Sequence, residues 1–459
     1  MLNSKYVIRL SFVTFLIMFY MINIACAAAN SSASEFDTNC KNHNLNGIKL
    51  LPIANYPISE KPVKPVKGKS IIDQVFNTCI TRVNDYKNEP QRGFARNDYS
   101  RRQAFNANET LILVYAKDGY WHLYDAKTFQ YIRTLSLGGA DVEPQWHPGK
   151  PNILYKFPQN GGLVIMTQNV FTDEVNTVTD FTKLNSIHGH SGMTSIKDIW
   201  PTAARIWTKS EGSPSADARY WGLQFETNDF ESLGAITYDL QTNSITGIFD
   251  FEKDGNNVGR PDHISMSPSG KYVVPSWYVQ GCSNIHSGTT SKPCGLMAYT
   301  RDFSLGYSLA VRGEHSDIAL DSLGNDIVVM PNYVSGYVEM YNLETKDTVK
   351  LWRIYKNSSA TAMHISAKAY NKPGWVLIST YATNGLPQWW TNKIMAVQLK
   401  KHPKVYLISN TFNEDAGYWT EPHAVVNRDF TKLLFNSNWG SGDEDIDVYS
   451  ISLPQDSIQ

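Results

Sequence analysis

The chain has almost no charge of one sign to spare: 42 Lys and Arg stand against 43 Asp and Glu in 459 residues. A nucleic-acid partner calls for a basic face, so none is expected. Long apolar runs are absent beyond the first few tens of residues, so no later segment spans a bilayer. At the start, Lys5 and Arg9 precede an apolar run from Leu10, and Ala25-Cys26-Ala27 offers a small-x-small cleavage site. Residues 1–27 therefore read as a signal peptide, and the product as exported, periplasmic or secreted, with no stable membrane insertion after cleavage. A lipoprotein at Cys26 and an uncleaved anchor are the other two readings of this segment.

Cysteine is scarce. Beyond Cys26 there are four, Cys40, Cys79, Cys282 and Cys294. An even number in an oxidising compartment reads as two disulfides, Cys282–Cys294 across a short gap and Cys40–Cys79. A rival reading makes Cys282, His286 and Cys294 a structural zinc site with His263.

What the sequence does have is repetition. The stretch Asp262-His-Ile-Ser-Met-Ser-Pro-Ser-Gly-Lys-Tyr-Val-Val274 reads as strand, tight turn, strand, with turn chemistry at Ser267-Pro-Ser-Gly270. Similar phrases begin near Arg102, Glu143, Glu211, His315, His364 and Glu421. Each leads into a β-prone run and further short strands. Repeated four-stranded units that cannot bury their own apolar faces predict an all-β chain, a seven-bladed β-propeller in which radial closure removes sheet edges. Two stacked sandwiches would not need the phrase to recur. The propeller is expected over 71–453 as a single domain, with an N-terminal extension at 28–70 and a tail at 454–459. Residues 71–84 alternate and are expected to supply the strand that closes the ring.

In a propeller the inner strand of each blade lines the central channel. Aligning the units on their turns brings Arg102, Glu143, Glu211, His263, His315, His364 and His423 to the channel mouth. The second strands bring Tyr115, Gln159, Trp277, Tyr278, Tyr333, Tyr381 and Trp439 to the same rim. Imidazole is the commonest metal ligand and the usual acid or base near neutral pH. A metal held by His315, His364 and His423 follows, with plugs between blades as the alternative use for each ring. The longest insertion, 181–209, carries His188, His190 and Arg205 and is expected to wall the channel. Aromatics make up 12% of the chain, and many fall in predicted loops, where they serve sugar stacking or interblade packing.

The phrases Glu421-Pro-His423, His315-Ser-Asp-Ile, His364-Ile-Ser with Pro373-Gly-Trp375, and Tyr238-Asp-Leu240 resemble the TolB-like propellers that include oligogalacturonate lyase and, more loosely, the seven-bladed ulvan lyases. The resemblance implies a secreted polysaccharide lyase that cleaves an acidic, uronate-containing polysaccharide, ulvan-like or pectate-like, by β-elimination, with a divalent metal (Mn, Ca or Zn) on His315, His364 and His423. Elimination needs a carboxylate clamp, a base and an acid. Arg260, with Arg205 in reserve, is the expected clamp; His263 is the expected base, with His190 or His188 as the alternative; and Tyr278 is the expected acid. Arg205, Trp277, Tyr333, Tyr381 and Trp439 are expected to bind the sugar chain of a monomeric enzyme. The competing expectation is a non-catalytic propeller that binds a glycan or protein on its channel rim.

Overall fold

His263–Met266 and Tyr272–Trp277 form the antiparallel hairpin that the turn chemistry predicts, with His263 opposite Ser276 and Met266 opposite Val273. Its turn depends on Gly270, whose φ is +73° and where a Cβ would meet the Tyr220 ring at 2.2 Å. The computed structural model to which this hairpin belongs describes residues 60–277, 281–285, 287–455 and 457–458.

The fold is a seven-bladed β-propeller, with no α-helix among the described residues. Blade one runs outward from Ala95–Arg96 through Leu111–Ala116 and Trp121–Asp125 to Tyr131–Leu135. The inner and outer strands of the next five are Gln145–Trp146 and Val175–Asp180, Arg205–Trp207 and Ser244–Asp250, His263–Met266 and Gly306–Ala310, Asp317–Leu320 and Thr348–Arg353, and Ala360–Ser366 and Val405–Asn410. Blade seven starts at Val425–Val426 and is completed from the other end of the chain. Cys79–Arg82 pairs antiparallel with Asp447–Ser452, setting Ile80 opposite Ile451. Ser70–Ile72 then adds a fifth strand. The segment whose alternation suggested one closing strand is thus a hairpin. It turns where Asp73 accepts the backbone N–H of Val75 at 2.9 Å, an Asx turn that competes with continued extension.

The core is distributed. Seven clusters of buried apolar side chains lie one at each seam between adjacent blades, as expected where each thin sheet buries both faces only against its neighbours. Polar hooks from the turn at the end of an inner strand latch the seams. Asn106 Nδ2 donates to Pro151 O at 2.9 Å, Ser267 Oγ to Asp326 Oδ2 at 2.8 Å, and Asn427 Nδ2 to Glu109 at 2.8 Å.

Two expectations are corrected. The insertion 181–209 does not form one wall over the channel: its end, Arg205–Trp207, is the inner strand of blade three, while Ser186–Ile187 adds a fifth, outermost strand in parallel with Ser244–Asp250, Ser186 facing Ser244, so His188 and His190 sit at the periphery. The zinc reading fails as well. Cys282 and Cys294 are bonded to each other, with 5.0 Å between their Cα atoms, so neither thiolate is available to a metal. His286 and Cys40 lie outside the described residues. The bridge closes a loop of sequence separation 12, and loop-closure entropy puts its removal at about 2–3 kcal/mol. Cys282→Ser/Cys294→Ser should therefore lower the urea midpoint by that equivalent; an unchanged midpoint would show that the loop is already ordered without the bridge.

Candidate functional site

Backbone geometry brings an unanticipated segment into the channel. The inner strand of blade one is interrupted: Ala95–Arg96 pairs with Tyr115 and Ala116, and pairing resumes only at Phe105 opposite Ile112. The intervening residues cross to the far blades. Buried Arg101 places Nη1 2.6 Å from Nε2 of His263 on blade four, Nη2 3.0 Å from Glu211 on blade three, and Nη2 3.3 Å from the hydroxyl of Tyr99. Arg102 instead turns to Asp98 and to Ser210 O at 2.5 Å. Glu143 is fully buried and accepts from Thr208 N at 2.8 Å and Thr208 Oγ1 at 2.7 Å, which ties the end of the inner strand of blade three to the entry of blade two.

Opposite Arg101, blades six and seven converge. His364 Nε2 lies 2.7 Å from Glu421 Oε2 and His423 Nε2 3.1 Å from the same oxygen. One nitrogen from each ring and one carboxylate oxygen fall within 4.8 Å of one another. Tyr99 packs against both rings at 5.3 and 4.9 Å. His423 is held at φ 39°, a left-handed conformation that costs a non-glycine residue about 1–3 kcal/mol and is characteristic of functional positions. Burial drives both imidazoles well below their ordinary pKa, so they are neutral bases. Burial also raises Glu421, to about 7, against the opposing pull of His315 and Arg96.

Does this set suit a divalent cation? Two imidazole nitrogens and one carboxylate oxygen are donors that manganese or zinc accepts, whereas calcium prefers oxygen throughout. His364 Nδ1 is buried without a partner among the described residues. Arg96 Nη1 sits 2.6 Å from Nδ1 of His423, and a guanidinium only donates. In this arrangement His423 therefore carries its proton on Nε2; to ligate a cation there, the neutral ring would hold that proton on Nδ1 instead, with Arg96 drawn back, because a metal takes the lone pair of neutral imidazole. With that shift the three donors fit the group.

His315 lies beside this cluster rather than in it. Its ring stacks on His364 at 4.4 Å, and its Nδ1 lies 3.1 Å from Met363 O and 3.3 Å from the Tyr381 hydroxyl. A carbonyl only accepts, so Nδ1 carries the hydrogen and Nε2 the lone pair. Desolvation, with His364 and Arg101 nearby, lowers its pKa to about 3. His263 is the reverse case: its Nε2 lone pair is taken by Arg101 and its Nδ1 faces Asp262 at 3.4 Å, which holds Asp262 near 2. A cavity of about 190 Å³ opens between these groups, lined by Arg101, Glu211, Asp262, Ser276, Glu314 and His315.

The structure thus brings His263, His315, His364, His423 and Tyr381 together and disperses the other predicted residues. Arg260 is half exposed and pairs with Glu226 at 3.4 Å. Arg205 is buried over Phe230 at 4.3 Å. Trp277 is 1% exposed and bonds to Gly259 O. Trp439 is buried against Phe412 and Tyr449. Neither indole presents a face to a sugar, because interblade packing has taken it. Tyr333 is half-buried at the seam of blades five and six, and Tyr278 lies outside the described residues. Arg101, Tyr99, Arg96 and Glu421 join the site unforeseen.

No family model matches the sequence, and no curated protein matches it. Among solved structures, an oligogalacturonate lyase in complex with manganese superposes with a TM-score of 0.56 at 12% identity, covering 84% of this chain and 96% of that one. An oligogalacturonate lyase from Vibrio parahaemolyticus gives 0.55 at 11% identity, with the same coverage of both chains. At this identity the likeness establishes a shared propeller fold.

Proposed function

We propose that this protein is a polysaccharide lyase that cleaves a uronate-containing chain, pectate-like or ulvan-like, by β-elimination at the channel mouth. The observation that carries the reading is that a guanidinium, Arg101, and an imidazole whose Nε2 has no partner among the described residues, His315, line one small cavity beside the His364–Glu421–His423 group.

Elimination removes the weakly acidic proton next to a carboxylate, so the carboxylate must be neutralised and a base must reach the proton. A divalent cation on His364, Glu421 and His423, manganese or zinc rather than calcium, would polarise that carboxylate when bound. Arg101 offers the second half of the clamp, its planar fork fixed by His263, Glu211 and Tyr99. His315 takes the base role in place of His263, because its Nδ1–H is anchored on a carbonyl and its other nitrogen has no partner among the described residues. Tyr99 is the acid. Its hydroxyl accepts from Arg101 and keeps its own proton, and burial pushes its pKa up so that it stays protonated. The Cys282–Cys294 bridge suits an exported protein, and no helix among the described residues is long and apolar enough to cross a membrane.

The test is incubation of the purified protein with polygalacturonate, ulvan, alginate and glycosaminoglycans, following the ultraviolet absorbance of the unsaturated product. A signal on at least one polymer is expected, lost on chelation, restored by Mn²⁺, and abolished in His315→Ala. Silence on every polymer with Mn²⁺, Zn²⁺ or Ca²⁺ added would overturn the reading in favour of a non-catalytic rim.

A further inference from the structure

A second cavity, about 470 Å³, lies at the seam of blades five and six, lined by Trp352, Arg353, Tyr355, Lys356, Trp389 and Trp390. It opens on the same face as the central site. Residues 354–359 lead from the outer strand of blade five into Ala360–Ser366, the inner strand that carries His364, and residues 385–392 join the second and third strands of blade six. In an antiparallel blade both connections fall at the end where the inner strand begins, as does the 411–424 connection that carries Glu421. Ala360 stands four residues above His364 on one strand, about 13 Å at the usual strand rise.

The lining is built. Tyr355 donates its hydroxyl to Tyr333 O at 3.0 Å, and Ser359 donates to Leu386 O at 2.6 Å, so the two loops are fastened to each other. Between them, Lys356 and Ser359 exchange backbone hydrogen bonds at 3.1 and 2.9 Å around Asn357 and Ser358, at φ 50° and 59°. A two-residue turn with both φ positive favours Asn-Gly; serine in the second place is a strain that the fold maintains at this wall. Trp352 and Trp390, both at least nine-tenths buried, carry indole N–H groups with no acceptor among the described residues. Arg353 and Lys356 are exposed and form no ion pair among the described residues.

We infer that this cavity is a distal subsite for an acidic sugar unit of the same polymer, several units from the bond that is broken. The inference rests on the lyase reading for the identity of the polymer. Aromatic walls give the apolar face of a pyranose a surface to pack on, the two exposed cations meet a carboxylate, and the volume is within the range of small-ligand sites. Among the residues named above for its lining no carboxylate appears, so the cavity binds without reacting. Its effect is on affinity for long chains.

The experiment is native electrophoresis of the full chain in gels containing polygalacturonate or ulvan, with neutral dextran and a single-stranded oligonucleotide as controls. Turnover is measured in parallel on the polymer and on its dimer. The variants are Arg353→Ala/Lys356→Ala and Tyr355→Ala, all at exposed positions. Wild type should be retarded by an acidic polysaccharide, the double variant should bind about tenfold more weakly, and KM for the polymer should rise by the same factor with kcat and dimer kinetics unchanged. Retardation equal in wild type and variants, absent from both acidic gels, or as strong in dextran or with the oligonucleotide would overturn the subsite. Variant-sensitive retardation without any unsaturated product would sink the lyase reading and leave the subsite standing; product formation without variant-sensitive retardation would do the opposite.

Discussion

Arg101→Ala should lower kcat on the uronate polymer by roughly 10²–10³-fold, the loss seen when one preorganised donor is removed from developing negative charge. The guanidinium is buried at 3% exposure and engages an imidazole, a carboxylate and a phenol at once. Arg101→Lys should rescue little, because an ammonium is a point donor without the planar fork. The protein should stay folded, since Glu211, a quarter exposed, can solvate its freed charge. Binding of Mn²⁺, followed by calorimetry, should survive, because Arg101 is not among the three donors of the His364 group. Turnover within a factor of two of wild type would remove Arg101 from the clamp. Loss of Mn²⁺ binding together with turnover would mean that it shapes the site without touching substrate.

Why was Arg101 invisible in the sequence when four histidines were not? An alignment on turns assumes a simple register of unbroken inner strands, which holds for His263, His315 and His364, at the start of, two residues before and within theirs. Blade one breaks that register: its inner strand stops at Arg96 and resumes near Phe105, so alignment selected Arg102, which faces Asp98 and Ser210. No local pattern signals that an inner strand will leave its sheet, because the cause is distant, in Glu211 and His263. Glu421 stands in the Glu-Pro-His phrase, where a carboxylate two residues from a candidate ligand is a natural third donor. The insertion was misplaced for a different reason. Ser186–Ile187 pairs in parallel with Ser244 and Ile245, and parallel pairing leaves no turn to read. The blades themselves were legible because turn residues such as Ser267-Pro-Ser-Gly270 act locally. The rim tryptophans misled because burial at a seam and exposure at a rim require the same residue.

Asp317→Ala should destabilise the fold by about 3–5 kcal/mol, the cost of leaving its buried partner charge uncompensated. Lys368 Nζ sits 2.9 Å from Asp317 Oδ1 and 3.1 Å from Ser213 Oγ, and both charged side chains are under 5% exposed. The other carboxylate oxygen accepts from Ala367 N at 2.8 Å, and Ser213 Oγ donates a hydrogen bond to the carbonyl of Arg101 at 2.7 Å. One network therefore spans the channel from blades five and six to blade three and the broken strand of blade one. Its net contribution to stability is a separate matter, because desolvating two ions offsets most of their attraction. Asp317→Leu/Lys368→Met should accordingly unfold near the wild-type urea midpoint, while each single variant unfolds far earlier. If the pair serves position rather than stability, the double variant will still lose turnover, since Ser213 Oγ then loses the Lys368 donor that orients it toward the Arg101 carbonyl. A double variant with both wild-type stability and wild-type turnover would show that the channel floor does not set the clamp; equal midpoints for wild type and Asp317→Ala would show that Lys368 finds solvent when its partner is removed.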